Sequence, residues 1–115
     1  MRLYGALILI LSCVAPASHA EIVSQSGLTV VRLLSDSANF GGCMALVDNF
    51  NNPAGCAPRW VTFDCDGVHG SKEAGRRAYE IAQMAYALEK NIYISVETTQ
   101  TINGYCAVKR IDLIK

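Results

Sequence analysis

No stretch of this sequence is apolar for long enough to cross a bilayer. The longest run, residues 6–14 (ALILILSCV), falls well short of the roughly 20 residues that hydrocarbon thickness demands. An excess of charge of one sign is also missing. Ten Lys and Arg face ten Asp and Glu, scattered rather than grouped. That excludes a surface built to neutralise a line of phosphates, and with it nucleic acid as a partner. Neither G-x-G-x-x-G nor the P-loop pattern occurs, so the common nucleotide cradles are absent. The cysteines never form the closely spaced knuckle pairs of zinc ribbons and fingers. Internal repeats, low-complexity segments and a linker to a second domain are likewise missing.

What is there begins with an export signature. Arg2 supplies a positive start, residues 6–14 the apolar run, and Pro16-Ala17-Ser18-His19-Ala20 the small residues around a cut site. This is the three-part layout of a secretory signal. Ser18 and Ala20 fill the two positions a signal peptidase needs small, which places cleavage after Ala20 and the mature start at Glu21. A lipoprotein signal ending at Ser12-Cys13 is the weaker reading, because Ile10 and Leu11 fit a lipidation box poorly. Residues 21–115 then form one domain of 95 residues, enough for a single modest core. The expected location is the periplasm or the medium. Once Arg2 leaves, nine basic and ten acidic side chains give a formal charge of −1.

Cys13 departs with the signal, and Cys43, Cys56, Cys65 and Cys106 remain. An even number in a small exported chain reads as two disulfides, with three connectivities open. Cys43–Cys65 across a hairpin and Cys56–Cys106 tying a long loop to the last strand are preferred. The competing reading, a metal held by Cys56, Cys65 and His69, lacks the ligand spacing. No cofactor is expected.

Residues 27–34 (GLTVVRLL) are β-branched and apolar, a strand pattern. A second strand is expected over residues 40–47, with Gly41-Gly42 marking a bulge or close approach. Residues 48–55 (DNFNNPAG) are dense in turn formers. A third strand is expected over residues 59–65 (RWVTFDC), alternating Val61, Phe63 and Cys65 against Trp60, Thr62 and Asp64. Pairing it with the second sets Cys43 near Cys65. Ser71 is a good N-cap for a helix over residues 72–90, with Glu73 suited to its positive end. Ala78, Ile81, Ala82, Ala85 and Leu88 recur at helical spacing as its buried stripe. Two strands follow, residues 91–97 and 104–114, joined by a segment that ends in the turn pair Asn103-Gly104. The expected fold class is α+β, mostly β. Its order βββαββ suits a small five-stranded OB-like barrel with one helix between strands three and four, and an open sheet with one packed helix shares that order.

Catalysis finds little to work with. His69 is the only histidine after processing and sits in a Gly-flanked loop. Ser71, His69 and Asp66 are too close in sequence to converge as a triad. Asp64 and Asp66 flank Cys65 but lack the further ligands of a calcium loop, so they read as a solvated edge or a helix-start cap. Paired charges on an exposed helix face account for Gly75-Arg76-Arg77. What remains is polar-loop recognition. Asp48, Asn49, Phe50 and Asn51, followed by Arg59 and Trp60, offer amides, a carboxylate and a guanidinium beside aromatic rings. This mixture suits sugar hydroxyls stacked on an aromatic, and it suits an ordinary tethered turn as well.

The outline resembles a widespread, uncharacterised group of small exported proteobacterial proteins. The residues that carry the likeness are Gly55-Cys56 with Trp60-Val61, then Ala85-Tyr86-Ala87-Leu88-Glu89-Lys90 leading to Ile92-Tyr93-Ile94, and Tyr105-Cys106. More distantly, the element order, size and disulfide use are similar to the B subunits of subtilase-type AB5 toxins. Those are OB barrels that bind glycans as pentamers, although none of their sugar-contacting residues can be matched onto this sequence. The first resemblance implies fold and compartment more than activity, and the second implies a glycan as partner with assembly into a homo-oligomer. The expected function is a secreted or periplasmic non-enzymatic binding module, whose partner is a glycan or another envelope or secreted protein.

Overall fold

Alternating apolar residues build the strands, and two phase shifts let those strands curve around one core. The computed structural model describes residues 5, 8–10, 21–36, 39–51, 53 and 55–115. The expected signal and its cut site, with Cys13, lie almost wholly outside the described residues, as does Asn52. Along the chain the elements are β1 (Ile22–Ser35), β2 (Cys43–Asp48), β3 (Trp60–Thr62), α1 (Lys72–Leu88), β4 (Asn91–Ile102) and β5 (Tyr105–Ile114). The strands pair in the order β1-β2-β3-β5-β4, and β4 returns to β1, so the sheet closes on itself. Spatial order is therefore not chain order: β5 lies between β3 and β4. Its contact with β3 is parallel, Thr62 against Ala107, and every other pairing is antiparallel. No helix among the described residues is long and apolar enough to cross a membrane.

Leu28 and Val30 of β1 face inward, and a bulge between Val30 and Arg32 then turns Leu33 to the same side. On β5, Cys106 and Val108 are core residues and so is Ile111, because the ladder with β4 shifts at Lys109. One extra residue in a strand reverses its alternation and sharpens its bend. That is how short strands close around Val47, Val61, Phe63, Ile92, Ile94 and Val96, all at most 1% exposed. Both disulfides cross this body: Cys43–Cys65 bridges the β2–β3 end, and Cys56–Cys106 ties the β2–β3 loop to β5.

Several element bounds differ from the sequence expectation for local reasons. Strand β1 begins five residues before Gly27, because Ile22 to Gln25 pair with β4 although Ser24 and Gln25 are polar. Gly41 and Gly42, expected inside the second strand, form the turn that precedes it; both take positive φ. A side chain on Gly41 would meet Thr62 Oγ1 at 2.6 Å. Strand β3 spans three residues, because Arg59 and Asp64 adopt left-handed backbone on either side of it. The segment expected to join the last two strands is itself strand as far as Ile102, leaving Asn103-Gly104 as a two-residue turn with both φ values positive. Helix α1 stops at Leu88, where Glu89 turns left-handed and Lys90 N–H closes onto Ala85 O at 3.0 Å. Leu88, expected in the buried stripe, is 57% exposed. Tyr79 takes a place there instead, its ring 5.6 Å from that of Phe63.

Candidate functional site

The six residues singled out as a binding cluster are brought to one end of β2 and β3, but not all in the same capacity. Asp48 closes β2 and Arg59 opens β3, and Arg59 Nη2 donates to Asp48 Oδ1 at 3.0 Å. Both side chains are exposed, so the pair contributes at most about 1 kcal/mol to stability. Gln25 of β1 clamps the loop from the other side: its Nε2 donates to Asn49 O, and its Oε1 accepts from Asn51 N–H at 2.9 Å. Asn49 and Asn51 are thus fixed through the main chain, and both residues remain exposed. Phe50, between these clamped neighbours, turns inward. At 7% exposure it belongs to the core and cannot serve as a stacking platform.

Trp60 fills that role better. Across three strands, Arg32, Leu46 and Trp60 stand in one row of the ladder, on the face opposite Ala45, Val47 and Val61. The Arg32 guanidinium lies 5.9 Å from the Trp60 ring centroid, within cation–π range. The row continues sideways into the Asp48–Arg59 pair. At the opposite end, Phe40 of the β1–β2 loop meets Tyr105, the first residue of β5 after the β4–β5 turn, edge to face at 5.6 Å.

A second constellation, unmarked in the sequence, lies where α1 starts. After β3 the chain turns at Asp64, a residue 6% exposed. It accepts from the N–H groups of Val68, His69 and Gly70 at 2.7, 2.8 and 3.0 Å. Asp64 therefore organises the loop into the helix and is not a solvated edge. Asp66 is exposed, and its N–H donates to Gly41 O. His69 Nε2 lies 2.8 Å from Thr101 O, which pins this loop to the far half of β4. Ser71 Oγ accepts from Ala74 N–H at 3.1 Å, so it is the N-cap of α1. With Ser71 and His69 engaged separately, the chain presents no nucleophile–base pair here.

Gly75 then lets α1 touch down on the end of β3. A Cβ at that position would meet the Phe63 carbonyl oxygen at 2.5 Å and the Asp64 carbonyl group as well. Between this contact and the β4–β5 hairpin lies a half-open cleft of about 150 Å³, lined in part by Phe63, Ser71, Ala74, Gln100 and Lys109. Gln100 Oε1 is buried there without a hydrogen-bond partner. Lys109 Nζ is 3.4 Å from Glu97 Oε2.

On the other side of α1, a shallower cleft of about 270 Å³ lies beside the Cys43–Cys65 disulfide, lined by Asp36, Asp66, Arg76 and Tyr79 among others. Tyr79 Oη donates to Leu34 O at 3.2 Å, and burial raises its phenol above the ordinary value of 10.0. Arg77 pairs with Glu73 one turn away, as expected for a solvated helix face. Cys56 and Cys65 belong to different disulfides, so neither offers a thiolate to a metal. Among the described residues, no three His, Cys, Asp or Glu side chains gather closely enough to hold a cation. These surfaces supply hydrogen-bonding groups, an aromatic face and two clefts. Compared with known proteins, the chain matches no family model, no curated protein and no solved structure.

Proposed function

We propose that this protein is an extracytoplasmic, non-enzymatic binding module of OB-like build that receives its ligand on the outer side of β2 and β3. The observation that carries the reading is the row Arg32–Leu46–Trp60, ending at the Asp48–Arg59 pair. OB folds are five-stranded Greek-key barrels. They recognise oligonucleotides and oligosaccharides on strands two and three, with the loops after strands one and four. The closed order β1-β2-β3-β5-β4 and the parallel β3–β5 contact support that comparison. So does the meeting of Phe40 with Tyr105, which brings those two loops together. Two disulfides fit an oxidising compartment, in line with the export signature at the start of the sequence.

Between the two ligand classes, balanced charge speaks against oligonucleotides. An aromatic face beside a carboxylate–guanidinium pair favours a glycan: the ring stacks on the apolar side of a sugar while the pair takes its hydroxyls. This is also the partner implied by the likeness to AB5 toxin B subunits. The test is a glycan array probed with the mature oxidised domain and with Trp60→Ala, alongside native mass by light scattering. Array binding lost in Trp60→Ala, with circular dichroism unchanged, supports the reading. Binding that survives in Trp60→Ala overturns the assigned surface. An empty array together with a co-purifying envelope protein replaces the glycan with a protein partner.

A further inference from the structure

We infer that the first residues of β1 form a pairing edge whose occupant is the same edge of a second copy of this chain, docked antiparallel about a two-fold axis at Val23. This goes beyond the Trp60 face and does not depend on it. The ladder with β4 sets which main-chain groups are taken. Thr98 N–H donates to Glu21 O at 2.9 Å, and the register continues as Ile22 with Glu97, Val23 with Val96, Ser24 with Ser95 and Gln25 with Ile94. Bonded and non-bonded pairs alternate in an antiparallel ladder. Glu21, Val23 and Gln25 therefore turn their N–H and C=O groups to β4, while Ile22 and Ser24 turn theirs away. The 2.9 Å contact between the Ser24 and Ser95 hydroxyls agrees, because side chains stand closest at non-bonded pairs. Strand β2 does not reach this outward side. Its pairing with β1 starts at Thr29 with Asp48, and the Gln25 side chain holds the loop beyond it at Asn49 and Asn51. Ile22 and Ser24, both exposed, thus hold their main-chain groups open to a further strand.

Proteins usually blunt such an edge with lysine, proline or a bulge. Here Ile22-Val23-Ser24-Gln25 carries neither charge nor proline, and the bulge comes only after Gln25. Ile22 is 67% exposed, more than any other large apolar residue of the sheet or α1. The extent of the open edge selects a second copy. It is bounded on one side by the loop that Gln25 holds and on the other, with cleavage after Ala20, by the start of the chain at Glu21. Val23 is the centre of residues 21–25. Turned about a two-fold axis there, Ile22 of each copy meets Ser24 of the other, and the two pairs exchange all the main-chain groups that β4 leaves open. Val23 then faces Val23, the two Ile22 side chains lie diagonally within reach across the join, and Glu21 falls opposite the uncharged Gln25. No like charges oppose each other. An edge that complements itself in this way is what an isologous two-fold contact requires.

The test is sedimentation velocity of the mature oxidised domain from low micromolar to millimolar concentration, with amide hydrogen exchange read in ¹H–¹⁵N spectra at both ends of that range. A dimer that grows with concentration is expected. With it, exchange at Ser24 N–H should slow by about tenfold or more, whereas Val23 and Gln25, already bonded to β4, stay slow throughout. Ile22→Pro removes an N–H at the join and none that faces β4, so it should weaken association by about tenfold or more with circular dichroism unchanged. Ile22→Lys sets two ammonium groups diagonally across the join and should do the same, which provides the readout if Ile22→Pro does not fold. Trp60→Ala should leave association unchanged, so failure of the outer-face reading and failure of this one are told apart. A monomer throughout the range overturns the inference. An oligomer in which Ser24 N–H still exchanges freely, or one that survives both Ile22 variants, is joined through another surface and overturns it as well.

Discussion

Replacing Gly75 by alanine pits two effects of opposite sign against each other. In a helix interior alanine is favoured over glycine by about 1 kcal/mol, so propensity alone predicts a more stable protein. Packing predicts the reverse. The new methyl carbon would sit 2.5 Å from Phe63 O and 2.7 Å from the Asp64 carbonyl carbon. Both obstacles are main chain, so no side chain can rotate aside to make room. Overpacking of this kind costs about 1–3 kcal/mol, and a rigid backbone obstacle places it near the upper end. The net expectation is a loss of about 2 kcal/mol, which for a domain of this size lowers Tm by about 8–16 °C. Thermal melting followed by far-UV circular dichroism, with disulfides intact, measures it. Ala87→Gly on the exposed side of the same helix serves as the propensity control and should cost about 1 kcal/mol. If Gly75→Ala melts at or above the parent temperature, α1 does not rest on the end of β3 as described, and the wall of the neighbouring cleft goes with it.

Asp64→Ala leaves three loop N–H groups without their acceptor and should cost about 2–3 kcal/mol by the buried hydrogen-bond rule, read as a lower urea midpoint with an unchanged slope. Removing Cys56–Cys106 by double serine substitution releases a separation of 50 residues, against 22 for Cys43–Cys65. Chain entropy then predicts losses of about 4 and 3.4 kcal/mol, and equal or reversed losses would contradict the ranking. The alkaline limb of stability separates two tyrosines. Tyr79 has a raised pKa because it is buried, so its contribution is complete below pH 10 and is lost as pH rises through the folded value; Tyr79→Phe should flatten the fall in urea stability above pH 10. Tyr93 has a lowered pKa, first through its hydrogen bond with Ser24 and then that from Ser95. Its folded form ionises earlier and gains stability there, so Tyr93→Phe should steepen the same fall.

Legibility in the sequence followed the range of the interaction. The helix start at Ser71, the Asn103-Gly104 turn and the facing of Ile92, Ile94 and Val96 rest on neighbours within a few residues, and local chemistry announces them. Cys43 against Cys65 was readable because a hairpin register follows from alternation on two adjacent strands. Phe50 and Leu88 were misplaced because their burial depends on something outside their own pattern: Gln25, far away in β1, clamps the loop around Phe50, and the helix ends before Leu88 can reach the sheet. Gly75 looked like part of a charged helix face, since nothing near it in sequence reveals that Phe63 and Asp64 lie underneath. Gln100 was passed over for the same reason. Its side-chain oxygen is buried without a hydrogen-bond partner, which only the fold reveals.

The closure of the sheet also fixes when the molecule can be finished. Ser24 meets Ser95 across 71 residues, and Glu21 meets Thr98 across 77. Strand β5 must enter between β3 and β4 after both have been synthesised. A chain that emerges N-terminus first can assemble β1, β2 and β3 and bring Cys43 to Cys65 early. Cys56, however, must wait as a free thiol until the last ten residues arrive with Cys106. During that interval the inner faces of β1 and β2 have no fourth and fifth strand to cover them. The burden of completing the core therefore falls on the final strand.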